Sequence, residues 1–252
     1  MRKLLCIAIV FATANAFSQG KTLYDAEMVQ TKMGQTTAFE KAWKAHLNKF
    51  HNGDNSRTIE EIMTGSNSGK FLLFSGPGSV GDMDTERPTK AAHDADYDQT
   101  VTPSVAQFDN MGTYRWVDTL SLNGDMQSSG KFSTTVYHLK PGKVADLTAE
   151  IKRALTINTK IKSPASYNTY IKMWPGSSGE VVIHTNLKNG FKQVDSNYDP
   201  NMKSMNDNFK STYIQDYGQA AWDKRINLLP EITTSWETYL SKVRTDLSTA
   251  TK

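Results

Sequence analysis

Five histidines (His46, His51, His93, His138 and His184) are the side chains here best suited to moving a proton or holding a metal near neutral pH. Metal binding by paired histidines asks for particular spacings, such as His-x-x-x-His, His-Glu-x-x-His or His-x-His, and none occurs. His46 and His51 are five residues apart, about 500° around a continuous helix, which would set them on different faces. The spacing therefore predicts no metal site. His46 falls on the apolar stripe of a predicted helix, where an imidazole serves either as a bonded core group or as a base beside a bound molecule. The carboxylates cluster in one stretch: Asp82, Asp84, Glu86, Asp94, Asp96 and Asp98, offset by Arg87 and Lys90. Asp94-x-Asp96-x-Asp98 matches the opening of a calcium loop. Gln99 stands where that loop needs glycine, and Val105 stands where it needs glutamate. The expectation is a solvated loop with helix-capping aspartates.

Other motifs carry less. Gly76-Pro77-Gly78-Ser79-Val80-Gly81 has the spacing of a dinucleotide loop, but Pro77 removes an N–H and Pro88 interrupts the stretch that follows. It reads as a turn. No Gly-x-Ser-x-Gly nucleophile elbow occurs. Five tryptophans and ten tyrosines are available to line a cavity. Apolar small-molecule sites are built from such side chains. The expected pocket lies between the first helix and the sheet, near Tyr24, Trp43, His46 and Ile62.

The elements that must position these residues come in two similar sets. Lys32-Met33-Gly34-Gln35 reappears as Lys140-Pro141-Gly142-Lys143, each between a strand-like and a helix-like run. The first helix carries Phe39, Ala42, Trp43, His46, Leu47 and Phe50 at spacings of three and four. The second carries Val144, Leu147, Ile151, Ala154 and Leu155. Two strands with a glycine-rich turn follow in each half: 57–64 and 70–75, then 166–174 and 180–185. Each half closes with a helical region and a last strand, giving β-α-β-β-α-β twice. Residues 22–121 form the first unit, 122–130 a polar linker, and 131–248 the second unit, which carries an extra helix near 200–217. A β-α-β-β-α-β unit has helices on one sheet face only. The expected fold is α+β, with two tandem ferredoxin-like units whose bare sheets pack face to face as a pseudo-dimeric barrel, helices outside.

The chain has 252 residues, 29 basic and 26 acidic. That near-balance offers no surplus for a phosphate backbone, so a nucleic-acid partner is not expected. Residues 1–16 read as a secretory signal: Arg2 and Lys3, a short apolar run from Leu4 to Phe11, and Ala14-Asn15-Ala16, with cleavage as late as residue 19. Cys6, the one cysteine, leaves with it, so the mature chain has neither disulfide nor cysteine-ligated metal. No other stretch reaches the ~20 apolar residues a membrane span needs. The mature protein is expected to be secreted or periplasmic, as a monomer or homodimer.

With its strand-Lys-x-Gly-helix units and glycine-rich hairpins, residues 22–248 resemble the dimeric α+β barrel superfamily in a tandem, single-chain form. That superfamily includes antibiotic-type monooxygenases, haem-degrading enzymes and chlorite dismutase-like haem proteins, and the fold alone does not choose among them. The resemblance implies, for the cofactor-free oxygenases, chemistry that uses substrate reactivity and one polar group; here that group is His46. For the haem proteins it implies an axial histidine on a helix beside the sheet, a position His93 matches. In tandem chlorite dismutase-like proteins the haem sits in the C-terminal half, whose histidines here, His138 and His184, fall on predicted strands. The reading is a small-molecule-binding barrel, of cofactor-free oxygenase type, acting on an apolar or aromatic substrate. The alternatives are a non-catalytic interaction module and a haem-binding barrel.

Overall fold

A computed structural model describes residues 21–51, 56–84, 89–124, 130–174, 179–195 and 201–249. The expected signal sequence with Cys6, residues 175–178 of the expected second turn and residues 125–129 of the expected linker lie outside the described residues. Eight strands run in chain order: β1 (Leu23–Thr31), β2 (Arg57–Ile62), β3 (Phe71–Gly78), β4 (Val105–Trp116), β5 (Lys131–Leu139), β6 (Tyr167–Trp174), β7 (Glu180–Asn186) and β8 (Thr233–Val243). The helices are α1 (Thr36–Phe50), α2 (Lys90–Asp96), α3 (Val144–Lys160), α4 (Asn201–Tyr217) and α5 (Gln219–Ile232). Among the described residues, no helix is long and apolar enough to cross a membrane.

The strands form one closed antiparallel barrel in the order β1-β3-β2-β8-β5-β7-β6-β4, with β4 pairing back to β1. The first four strands neighbour one another as β4-β1-β3-β2, and the last four repeat that order as β8-β5-β7-β6. The expected face-to-face sheets are thus joined at both edges: β2 pairs with β8, and β4 with β6. Closure leaves no unpaired strand edge, which removes a template for aggregation.

Side chains alternate across the pleat. On β2, Ile59 points out to pack under α1 with Phe39, Trp43 and Leu47, whereas Ile62 points in against Leu72, Val136 and Tyr239. On β3, Phe71 and Leu73 point out and Leu72 points in. The second half has its own outer core, where Leu147 and Ile151 of α3 and Leu228 and Ile232 of α5 meet Val181. Helices therefore lie outside and the lumen within, as the periodicity predicts.

The Lys-x-Gly signature has a physical purpose. Gly34 and Gly142 adopt φ of 73° and 78°, a region side chains with a Cβ rarely enter. The lysine before each reaches the carbonyls that precede the half's last strand: Lys32 Nζ donates to the Pro103 oxygen at 2.7 Å, and Lys140 Nζ to the Glu231 oxygen at 2.6 Å. A lysine ammonium there satisfies carbonyls left open as the preceding helical segment ends. α4 begins at Asn201, close to the expected extra helix, and packs by Tyr213 onto Trp222 and Glu150.

Candidate functional site

Two cavities flank the first half's sheet. The inner one, of about 110 Å³, lies in the barrel lumen. Its apolar wall includes Ala26, Leu72, Phe74, Val136 and Val182, and four tyrosines (Tyr24, Tyr114, Tyr170 and Tyr239) also line it. Burial raises the phenols of all four, so they stay neutral donors. Its polar group is a buried set: Ser241 Oγ donates to Glu60 Oε2 at 2.6 Å, and Thr134 Oγ1 is 2.8 Å from His184 Nδ1. His184 Nε2 lies 3.3 Å from Glu60 Oε1 without hydrogen-bond alignment. The His184 ring stacks on Phe132 with centroids 4.1 Å apart.

The outer pocket, of about 320 Å³, lies where the end of α1 and α2 meet the outer face of β1 and β2. Its lining includes Trp43, His46, His51, His93, Tyr97 and Arg57. Trp43 is fixed by donating its indole N–H to the Leu247 carbonyl at 2.8 Å. His46 is buried, and its Nδ1 lies 2.8 Å from Asp96 Oδ2. Asp96 is held below the usual carboxylate range by hydrogen bonds from Lys49 and His46, so it is ionised and only accepts. The proton therefore sits on His46 Nδ1. Burial pushes the His46 imidazole down, against the opposing pull of Asp96, which favours the neutral ring. A neutral ring with its hydrogen on Nδ1 presents a lone pair at Nε2.

That lone pair has no hydrogen-bond partner among the described residues. Neither do Arg57 Nη1 and Tyr97 Oη, and all three residues line this pocket. The one other such buried side-chain atom among the described residues is His184 Nε2, in the lumen. Buried polar groups are normally paired, and each one left open costs about 1–3 kcal/mol. Together they present one acceptor, one cationic donor and one phenolic donor in one cavity. Arg57 Nη1 is 3.8 Å from Glu27 Oε2, too far for a hydrogen bond. The Tyr97 phenol is pushed up to about 12, first by burial and then by Glu27, so it keeps its hydrogen and donates.

The residues singled out by sequence divide between these cavities. Trp43, His46 and His93 share the outer pocket, while Tyr24 and Ile62 point into the barrel, across the sheet. The single pocket expected from all of them is corrected: Tyr24 and Ile62 sit on the inward register of their strands, and a pleat sends that register away from α1. The separation of His46 and His51 is corrected too. His51 is the residue after α1, with φ −112° and ψ 72°, so it leaves the helical path and its ring returns beside His46, centroids 5.2 Å apart. His93 arrives from α2, 4.7 Å from the His46 ring. One nitrogen of each of the three rings lies within 4.8 Å of the others. Asp82 does cap, accepting the Ser79 N–H at 2.8 Å where the short helix 80–84 begins. Asp94 and Asp96 instead hold side chains, Asp96 those of His46 and Lys49 and Asp94 those of Lys90 and His93. Arg57 and Tyr97 escaped sequence reasoning. Their one signal was position, an arginine opening a strand and a tyrosine after an acidic helix.

The haem expectation for His93 meets a geometric obstacle. His93 Nε2 faces His51 Nε2 at 3.3 Å, and the His46 ring lies across its edge. In this arrangement both ring nitrogens of His93 already have partners, Asp94 and His51.

Comparison with known proteins gives the fold. A candidate monooxygenase from Lactobacillus acidophilus aligns over 92% of this chain and 100% of its own, with 8% identity and a TM-score of 0.52. An anthrone oxidase-like protein aligns over 89% of this chain and 92% of its own, with 10% identity and a TM-score of 0.56. What is shared is the fold, a closed antiparallel barrel with helices outside. A chlorite dismutase from Candidatus Nitrospira defluvii aligns over 93% of this chain and 96% of its own at 6% identity, but its TM-score of 0.48 is too low to argue from. No family profile and no curated protein matches the sequence. At such identities the likeness concerns the barrel and says nothing of individual side chains.

Proposed function

We propose that this chain is an oxygenase-like enzyme, secreted or periplasmic, whose substrate is an aromatic molecule with an acidic hydrogen and a neighbouring oxygen, bound in the outer pocket. On this reading residues 1–16 are a signal sequence. Residues 22–121 and 131–248 are tandem ferredoxin-like units, each supplying half of the barrel, with 122–130 between them. The observation that carries the function is the trio of buried groups that lack a hydrogen-bond partner among the described residues. His46 Nε2 takes the hydrogen, and Arg57 and Tyr97 hold the oxygen on which negative charge develops. Trp43 and Phe108 supply apolar wall. Asp96 is a positioning residue that fixes the tautomer of His46.

Anthrone is a suitable probe, because its methylene is acidic and the resulting enolate reacts with dioxygen by itself. Loss of the methylene proton to His46 leaves the charge on the carbonyl oxygen beside Arg57 and Tyr97. The enolate carbon passes electrons to dioxygen and forms a carbon–oxygen bond, giving a hydroperoxide once the proton returns. That hydroperoxide loses water to leave anthraquinone. One anthrone and one dioxygen give one quinone and one water, and dioxygen is the sole oxidant.

The test follows oxygen uptake and quinone formation from a panel of anthrones, naphthols and hydroquinones, with wild type and His46→Asn. The reading expects turnover on at least one member, with kcat reduced about 10²–10⁴-fold in the variant while binding persists. Turnover that ignores His46 removes the assigned base. No binding across the panel favours a non-catalytic interaction module.

A further inference from the structure

The outer pocket offers more than one lone pair. His93 Nδ1 lies 2.9 Å from Asp94 Oδ1. A carboxylate oxygen accepts, so, like the Asp96 bond to His46, this contact has Nδ1 donating and leaves Nε2 for other partners. His93 Nε2 then meets His51 Nε2 at 3.3 Å. Two nitrogens bound to one tetrahedral ion at ~2.0–2.1 Å lie about 3.3 Å apart. His46 contributes a buried nitrogen with no partner among the described residues, and one nitrogen from each of the three rings lies within 4.8 Å of the others.

We infer that His46, His51 and His93 form a binding site for one divalent transition-metal ion at the inner end of the outer pocket, an inference that rests on reading this pocket as the reactive site. Imidazole donors suit zinc, copper, iron and nickel, whereas calcium and magnesium prefer oxygen. Two of the rings carry the outer support typical of metal-bound histidine, a carboxylate on the far nitrogen. Three protein ligands leave a fourth position open toward the cavity, the arrangement of catalytic rather than structural sites. The ion deepens the proposed function: its open position takes the substrate oxygen, polarising the bond to the hydrogen that must leave. With the ion bound, His46 Nε2 is a ligand instead of the base, and the polarised substrate releases its hydrogen to solvent water.

The test uses the full-length mature protein, untagged and stripped with a chelator, titrated with cobalt(II) and then zinc(II). Wild type should take up one cobalt ion, with the strong visible bands of a low-coordinate site, and zinc should displace it. His93→Ala should abolish this stoichiometric binding. The His93 side chain is already 26% exposed, so its removal spares the core. Asp96→Asn should weaken cobalt binding about 10–100-fold. His138→Ala, on β5 and away from the pocket, should bind as wild type does. Wild-type protein that takes up no ion, or folded His93→Ala that binds like wild type, overturns the inference. The two readings fail separately. Aromatic ligands bound by stripped protein that takes no metal leave the pocket assignment standing, and metal bound without any aromatic ligand leaves only the metal site.

Discussion

Ala26→Leu separates the two cavities. Ala26 is buried on the inward register of β1 and lines the lumen, on the opposite side of the sheet from His46. A lumen void of about 110 Å³, taken at about 24 cal/mol per Å³, forgoes at most about 2.6 kcal/mol of stability. Leucine adds three carbons, and at about 0.8 kcal/mol each they recover at most about 2.4 kcal/mol. The two bounds agree. Incomplete filling and loss of side-chain freedom reduce the expected gain to about 1–2 kcal/mol. For a domain of this size each kcal/mol moves Tm by roughly 2–4 °C, so the variant should melt about 2–8 °C higher in a thermal scan. Its affinity for aromatic ligands and for cobalt should be unchanged, because both sites lie outside the barrel. A lower Tm would mean that the lumen is already filled, since overpacking costs about 1–3 kcal/mol. A higher Tm with ligand binding lost would move the binding site into the lumen and refute the assignment to the outer pocket.

Three further outcomes follow from the same geometry. Arg57→Met should weaken anionic aromatic ligands about 10–150-fold by titration calorimetry, the worth of one hydrogen bond to a charged group at about 1.5–3 kcal/mol, and should leave neutral analogues nearly unaffected. Glu150, buried between α3 and its neighbours, accepts from Tyr213 Oη at 2.9 Å and pairs with Arg225. Glu150→Ala should cost about 2–4 kcal/mol in urea melts, below the full value for a buried pair because Arg225 is part-exposed, with Glu150→Gln costing less. Asp246 is held below the usual carboxylate range chiefly by hydrogen bonding to Arg244. A depressed folded pKa adds stability above the unfolded value near ~3.9, lost as pH falls through the folded value. Asp246→Asn should thus be less stable than wild type at pH 7 by at most about 1 kcal/mol, since Asp246 is half exposed, and the gap should close as the solution is acidified below ~pH 4.

Local chemistry made much of the architecture legible. The stripe of Phe39, Trp43 and Leu47 announces a helix on a sheet, and that helix is α1. The paired Lys-x-Gly signatures announce two like units, and both turn the chain at positive φ. Strand alternation also assigns Ile59 and Ile62 to opposite faces, although a count along one strand does not say which face meets α1. That is why Tyr24 and Ile62 were grouped with His46 until the barrel closed. His46 and Trp43 were readable as site residues because a histidine and a tryptophan on one apolar stripe are conspicuous. Asp96 was visible only as one charge among several.

By itself the sequence determined the kinds of element, their order and the faces that had to be buried. All of these follow from period, turn chemistry and apolar area within a few neighbouring residues. Tertiary structure alone decided that the two sheets join edge to edge and that His51 bends back past the end of α1. It also decided that His93 and Asp96, more than forty residues later, complete the surroundings of His46. A site assembled from chain ends and separate helices has no spacing to read, because the distances that make its chemistry are set by packing.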